Sequence, residues 1–233
     1  MNPYHLLIVD DDKEIADLAG IYLNNEGYKV MKAANGREAL HMLETFPFKL
    51  VILDIMMPEM DGLEVCRRIR EKGNIPIIML SAKSEEMDKI LGLSTGADDY
   101  VTKPFHPMEL VARVKSQLRR YLLLNKVDPS VEDENSLHVR GLMVNKRTRQ
   151  VTMDGQDITL TPTEFMILHL MASNLGKVFS AEEIFEKVWK EQYFESKNTV
   201  MVHIRKIREK LKTHANETEL IKTVWGVGYK IEK

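Results

Sequence analysis

Cysteine is almost missing from this chain: Cys66 is the one thiol in 233 residues. With no second thiol there is neither an internal disulfide nor a cysteine-based metal site, so Cys66 reads as an ordinary core or surface thiol. Long hydrophobic runs are missing too, and no apolar stretch approaches the roughly 20 residues that cross a bilayer. The N-terminus lacks the basic region of a secretory signal, because Met1-Asn2-Pro3-Tyr4-His5 leads into Leu6-Leu7-Ile8-Val9, which ends at once in three acids. A cytoplasmic location is the expectation. Net charge is small as well, at -2, but that value conceals an asymmetry. Residues 1 to 125 carry 16 Lys/Arg against 19 Asp/Glu (-3), residues 126 to 136 carry 1 against 4 (-3), and residues 137 to 233 carry 16 against 12 (+4). An acidic module joined to one that meets a polyanion fits this split.

What is present is enough apolar material, 44% of residues, to build a core in each of two ordinary domains. The first 120 or so residues alternate short apolar runs with amphipathic stretches, the pattern of βαβ units around a parallel sheet. The spacing predicts strands near 5 to 9, 28 to 32, 49 to 53, 76 to 80 and 99 to 102, with a last helix from about 106 to 122. Right-handed crossovers covering both faces favour a doubly wound, flavodoxin-like α/β sheet of order 2-1-3-4-5. The run Leu50-Val51-Ile52-Leu53 has no polar face, so it belongs inside such a sheet, and Asp54 stands at its end. Asp10-Asp11-Asp12, Ser81-Ala82-Lys83 and Lys103-Pro104-Phe105 follow three other apolar runs. Four loops are expected to meet at one crevice.

Residues 1 to 122 form the first expected domain and 123 to 136 a polar, acidic linker. Residues 137 to 233 form the second, an α+β winged helix-turn-helix. A small antiparallel sheet turning at Asp154-Gly155 precedes its helices. Thr161-Pro162-Thr163-Glu164 and Ser180-Ala181-Glu182-Glu183 are capping boxes that open two helices, the first burying Phe165, Leu168 and Ala172. A third runs from roughly 197 to 213, with Val200, Ile204, Ile207 and Leu211 inward and Asn198, Met201, Val202, Arg205, Lys206 and Glu209 outward. Two strand-like arms around a glycine turn, ending at Ile231, complete it.

Asp10, Asp11 and Asp54 brought together repel one another, a penalty that a divalent cation removes. An oxygen-only donor set favours a hard ion such as Mg²⁺. The assignment is Asp11, Asp54 and the Met56 backbone carbonyl as ligands, with Asp10 holding a bound water. Asp54 is then a phosphoacceptor: a carboxylate ionised at neutral pH can attack phosphorus without a general base. Lys103 and the Ser81 hydroxyl would hold the remaining phosphoryl oxygens. Asp12 and Asp61 are left outside the site, as a helix-start acid and a turn or cap residue.

With Asp10-Asp11, Asp54, Ser81, Tyr100 and Lys103-Pro104 in this order, residues 1 to 122 resemble the receiver domain of two-component response regulators. The resemblance implies a phosphoryl group received from a sensor histidine kinase, a cis peptide before Pro104, and Tyr100 as a switch coupled to Ser81; ordinary packing is the other reading of Tyr100. Lys89, Asp98, Asp99, Glu109, Arg113 and Arg120 resemble the dimerisation face of OmpR/PhoB-type regulators. That likeness implies pairs Lys89 with Glu109, Asp98 with Arg113 and Asp99 with Arg120 across a two-fold axis, a homodimer formed on phosphorylation. A solvated charged face is the alternative.

Residues 137 to 233 resemble the winged-helix domain of the same subfamily, which implies binding to promoter double-stranded DNA. The helix near 197 would enter the major groove, with Met201, Val202, Arg205 and Lys206 near base edges. Thr199, His203, Arg208, Lys222 and Thr223 would lie nearer phosphates. Trp225 stands where the family often has a wing arginine, and Asn198 and Met201 where it often has arginine and aspartate. Trp189 to Glu195 occupies the position where the family contacts RNA polymerase, although Tyr193 and Phe194 read equally as buried. The run from Asn198 to Leu211 and the C-terminal arms look closest to VanR-type regulators of glycopeptide-resistance genes, which points to such genes or others of the cell envelope.

The expected role is therefore regulatory, not enzymatic beyond slow self-dephosphorylation. A haloacid-dehalogenase-type phosphatase would carry a second acid two residues after the nucleophile, where this chain has Met56. A receiver kept only for dimerisation is the other rival.

Overall fold

The computed structural model describes residues 4–82, 95–123, 136–190, 197–212 and 220–232. The chain divides into two compact units, residues 1–119 and 120–233.

In the first unit, strands β1 (His5–Val9), β2 (Lys29–Ala33), β3 (Leu50–Asp54), β4 (Ile77–Ser81) and β5 (Asp99–Thr102) form one sheet of order β2-β1-β3-β4-β5. Each neighbouring pair is parallel. β3 and β4 are buried along their whole length, as their unbroken apolar runs require. A fully buried Leu, Ile or Val side chain contributes about 1.5–3 kcal/mol, so these central strands dominate the cohesion of the sheet.

Helices α1 (Lys13–Asn25), α2 (Gly36–Thr45) and α3 (Gly62–Lys72) open on Asp12, Asn35 and Asp61, whose side chains accept backbone N–H bonds of the first turn. Asp12 and Asp61 thus act as caps. α4 (Pro107–Leu123) follows β5. The observed strands sit within one residue of the sequence expectation. The expected helix between β4 and β5, most of the linker, and Tyr193-Phe194 fall outside the described residues.

The second unit begins with an antiparallel sheet of β6 (Ser136–Val139), β7 (Leu142–Asn145), β8 (Val151–Met153) and β9 (Gln156–Asp157). Asp154 and Gly155, both at positive φ, make the tight turn between β8 and β9. α5 (Pro162–Ala172) and α6 (Ala181–Trp189) each start with a complete capping box, from Thr161 to Glu164 and from Ser180 to Glu183. α7 (Lys197–Lys212) packs against both and precedes the hairpin of β10 (Ile221–Val224) and β11 (Gly228–Ile231). Phe165, Trp189, Val200, Ile204, Ile207 and Ile221 belong to one buried cluster joining sheet, helices and hairpin.

Among the described residues, no helix is long and apolar enough to cross a membrane. Cys66 is buried in α3, where burial pushes its thiol up to about 11 and so keeps it protonated at neutral pH.

Candidate functional site

The C-terminal ends of β1, β3, β4 and β5 deliver the expected side chains to one crevice. Asp10, Asp11 and Asp54 each place a carboxylate oxygen within 4.8 Å of the others. Asp10 and Asp54 are buried, whereas Asp11 is exposed. Asp10 Oδ1 accepts the Asp12 N–H at 3.0 Å, and Oδ2 accepts from Lys103 Nζ at 2.7 Å. With both oxygens engaged, Asp10 is suited to an outer position around an ion, leaving Asp11 and Asp54 for direct coordination.

The Lys103–Pro104 peptide is cis, and the Lys103 backbone N–H donates to the Ser81 carbonyl at 2.7 Å. Its ammonium also lies 3.1 Å from Asp54 Oδ1, an ion contact without good hydrogen-bond geometry. Burial lowers the Lys103 pKa, but the hydrogen bond to Asp10 and the charge of Asp54 outweigh it and hold the lysine above its ordinary value. Asp54 shows the opposite balance. Burial pushes it up to about 6, Lys103 opposes that rise, and Asp10 and Asp11 add to it. One ammonium does not fully compensate three carboxylates, so a divalent cation fits this donor set.

Ser81 is buried at the end of β4, beside Thr102 in the sheet register. Tyr100 is 8% exposed, with its side chain inside rather than in solvent. Met56 exposes its side chain beside Asp54. Sequence reading missed Gly62. A Cβ there would lie 2.1 Å from the Asp54 carbonyl oxygen, so only glycine lets the start of α3 press on the strand end. The signal was Asp61-Gly62 at the helix entry.

The charged face around β5 and α4 carries ion pairs within the chain. Asp98 is fully buried, accepting from Arg70 Nη2 at 2.7 Å and from the Ile77 N–H at 3.0 Å. Asp99 pairs with Arg113 at 3.0 Å, and Arg113 also holds Glu109 at 2.9 Å. These are contacts within one chain, in which Asp98 takes Arg70 as a partner. Arg120 is 2% exposed. Lys89, like Lys83 and Ser94, lies outside the described residues. Arg70 lies 28 residues from Asp98, and residue spacing gave no sign of this pair.

On α7, Met201 and Arg205 are exposed and Lys206 and Thr199 half-buried. Arg205 and Lys206 both pair with Glu209, at 2.8 and 3.4 Å. Two expectations are corrected here. Val202 is 3% exposed although it lies away from the core side of the helix, and helical spacing does not say what else packs on a face. His203 is 1% exposed with its ring centroid 5.7 Å from that of Trp189, because a residue three after Val200 and four before Ile207 turns inward.

Arg208 spends its guanidinium on the Ile221 carbonyl at 3.0 and 2.7 Å and on Thr223 Oγ1 at 2.8 Å, tying α7 to β10. Lys222 is half-buried and pairs with Glu232 at 2.7 Å. Thr223 is exposed.

Comparison with known proteins agrees with both units. Residues 6–115 match the family described as response regulator receiver domain, and residues 155–231 match the family described as transcriptional regulatory protein, C terminal. The chain is 49% identical over 229 residues to the regulatory protein VanR of Enterococcus faecium, covering 98% of both chains. It is 47% identical over 230 residues to VanRc of Enterococcus gallinarum, again covering 98% of each. A solved structure of the response regulator DrrB, an OmpR/PhoB homolog from Thermotoga maritima, superposes with a TM-score of 0.51 at 32% identity, over 99% of this chain and 100% of that one.

Proposed function

Because the chain belongs to the OmpR/PhoB-type response regulators, a receiver joined to a C-terminal transcriptional regulatory domain, we propose that its activity is switched by a phosphoryl group on Asp54. The observation that carries this reading is the gathering of Asp10, Asp11 and Asp54 within 4.8 Å, with the Lys103 ammonium between Asp10 and Asp54.

In the proposed step an Asp54 oxygen attacks the phosphorus of a phosphohistidine on a sensor histidine kinase. A P–O bond forms, the P–N bond breaks, and the electron pair leaves with the imidazole nitrogen. Asp11, Asp54 and the Met56 carbonyl would hold Mg²⁺, with Asp10 orienting a bound water. That ion supplies charge neutralisation on the transferred group. The phosphoryl oxygens draw Lys103 from its carboxylate partners and engage the Ser81 hydroxyl. Lys103 therefore trades its pairing with Asp10 for the new dianion, and Tyr100 responds to Ser81.

The product is a bias toward a homodimer in which two winged helices sit on one promoter. Pairing raises affinity through effective concentration even when each half-site contact is unchanged. This regulator acts on double-stranded promoter DNA with RNA polymerase as its downstream partner, in the cytoplasm. Glycopeptide-resistance or other cell-envelope genes are its proposed targets. It is not an enzyme beyond slow self-dephosphorylation.

Phosphate-affinity electrophoresis after incubation with acetyl phosphate and Mg²⁺ tests the site. The wild type should give a retarded band that Asp54→Asn lacks, and an undiminished band in the variant would overturn the assignment.

A further inference from the structure

We propose that Glu209 positions Arg205 for base readout: its carboxylate holds the inner edge of the guanidinium so that the outer edge meets the O6 and N7 acceptors of one guanine in the major groove. The inference rests on DNA binding by the second unit and goes beyond it in naming a positioning residue and the base that it selects.

α7 carries six Lys/Arg and a single acid, Glu209. That acid stands where neither the helix nor a polyanion favours it. It lies in the last turn of α7, whose partial charge is negative and repels a carboxylate. Arg205 before Glu209 is the weaker orientation of an i, i+4 ion pair, and exposed pairs of this kind contribute little stability. Against the phosphates of a duplex, an acid adds only repulsion. A local task for the carboxylate accounts for its place.

Arg205 donates its Nε–H to Glu209 Oε1 at 2.8 Å, and Lys206 Nζ lies 3.4 Å from Oε2. The hydrogen bond from Arg205 outweighs a partial burial that acts the other way and, with Lys206 nearby, holds the Glu209 pKa below its ordinary value. Glu209 is therefore ionised at neutral pH. With Nε engaged, the Nη hydrogens of Arg205 have no acceptor among the described residues, and the side chain is 77% exposed. Met201, Arg205 and Glu209 are spaced i, i+4 and i+8 and form one exposed stripe of α7.

An unrestrained arginine on a helix surface samples many rotamers, and fixing one in a groove costs conformational entropy. Glu209 restricts it within the folded chain itself. The guanidinium is a planar fork, so holding Nε sets the direction in which both Nη groups point. That fork matches guanine, whose N7 and O6 both accept, whereas adenine offers N7 beside an N6–H₂ donor. Because Glu209 repels phosphate, the same clamp disfavours a backbone contact by Arg205. Lys206, on the other oxygen, is a point charge and carries no comparable direction.

The test is a selection from random-sequence duplex DNA by the full chain, with and without acetyl phosphate and Mg²⁺. Affinities are then measured for the selected duplex and its single-base variants. Wild type should show a guanine whose replacement by adenine weakens binding roughly ten-fold. Arg205→Lys should lose this preference, because an ammonium has no fork. Glu209→Ala should cut the preference at that one position to roughly three-fold or less and leave the other positions unchanged. It should also bind unrelated duplex more tightly, since a negative charge is gone. Glu209→Gln, which keeps an acceptor for Nε, should retain most of the preference.

A Glu209→Ala variant that tightened on every duplex with the guanine preference intact would overturn the inference and leave Glu209 as repulsion alone. Equal loss of preference at all positions, with a lowered melting temperature, would also overturn it, as the mark of a frayed helix. A wild-type chain that bound no duplex in either form would instead overturn the DNA-binding reading itself.

Discussion

Lys103 donates to Oδ2 of Asp10 across 2.7 Å, although 93 residues separate them in sequence. The lysine is thus held by the carboxylates of Asp10 and Asp54. Removing it leaves Asp10 and Asp54 buried with no ammonium between them, and losing one partner of a buried pair typically costs about 3–5 kcal/mol. With part of this lost to solvent, Lys103→Met should lower stability by about 2 kcal/mol in chelator. Added Mg²⁺ should raise its melting temperature by more than it raises that of the wild type. Equal shifts in the two proteins would argue against a shared role of ammonium and metal.

Asp54 gives a pH signature in the metal-free protein. Burial, opposed by Lys103, raises its pKa to about 6. A carboxyl whose folded pKa lies above its unfolded value contributes stability below the unfolded pKa and loses it as pH rises through the folded one. Asp54→Asn should therefore be the more stable protein at pH 7 in chelator, by about 2 kcal/mol, and this advantage should fade toward pH 4. Urea unfolding at the two pH values measures it. An advantage growing toward acid would contradict the burial argument.

Gly62 presses against the strand that carries Asp54. A methyl at Gly62 meets the Asp54 carbonyl oxygen and the Ile55 Cα, both backbone atoms that cannot swing aside. Gly62→Ala should cost about 1–3 kcal/mol through overpacking and slow phosphorylation from acetyl phosphate. Wild-type stability and phosphorylation rate in the variant would show that the loop yields freely.

Arg208 is built into the fold rather than left for phosphate. Its donors go to Ile221 and Thr223, and the guanidinium lies over the Tyr229 ring at 5.8 Å. Arg208→Met should destabilise the second unit by about 1–2 kcal/mol, as expected for lost charge-assisted hydrogen bonds. The salt slope of DNA binding should stay unchanged. A slope reduced by about one, with stability intact, would assign Arg208 to phosphate instead.

The parallel sheet and its crevice were legible in the sequence because β3 and β4 are apolar at every inward and outward position and each ends in a polar residue. The helix starts were equally legible. Thr161 with Glu164, and Ser180 with Glu183, satisfy backbone donors locally, and a local bond leaves a local signature. His203 could have been found from its spacing, had the inward face of α7 not been counted on aliphatic residues alone. Asp98 could not. Arg70 is brought to it from α3, where the same guanidinium also donates to the Ile75 and Gly96 carbonyls, and no spacing rule foresees a pair 28 residues apart.

The sequence by itself determined the order of the elements, the carboxylates at the strand ends and the family of the chain, because periodicity, capping and motif spacing are short-range properties. Tertiary structure alone decided which charges are already spent. Lys103 is committed to Asp10 and Asp54, Asp98 to Arg70, Arg113 to Asp99 and Glu109, and Arg208 to the hairpin, while Trp225 is left to solvent. The physical reason is that pairing and desolvation depend on distances of a few ångströms between residues far apart in the chain, and only folding sets those distances.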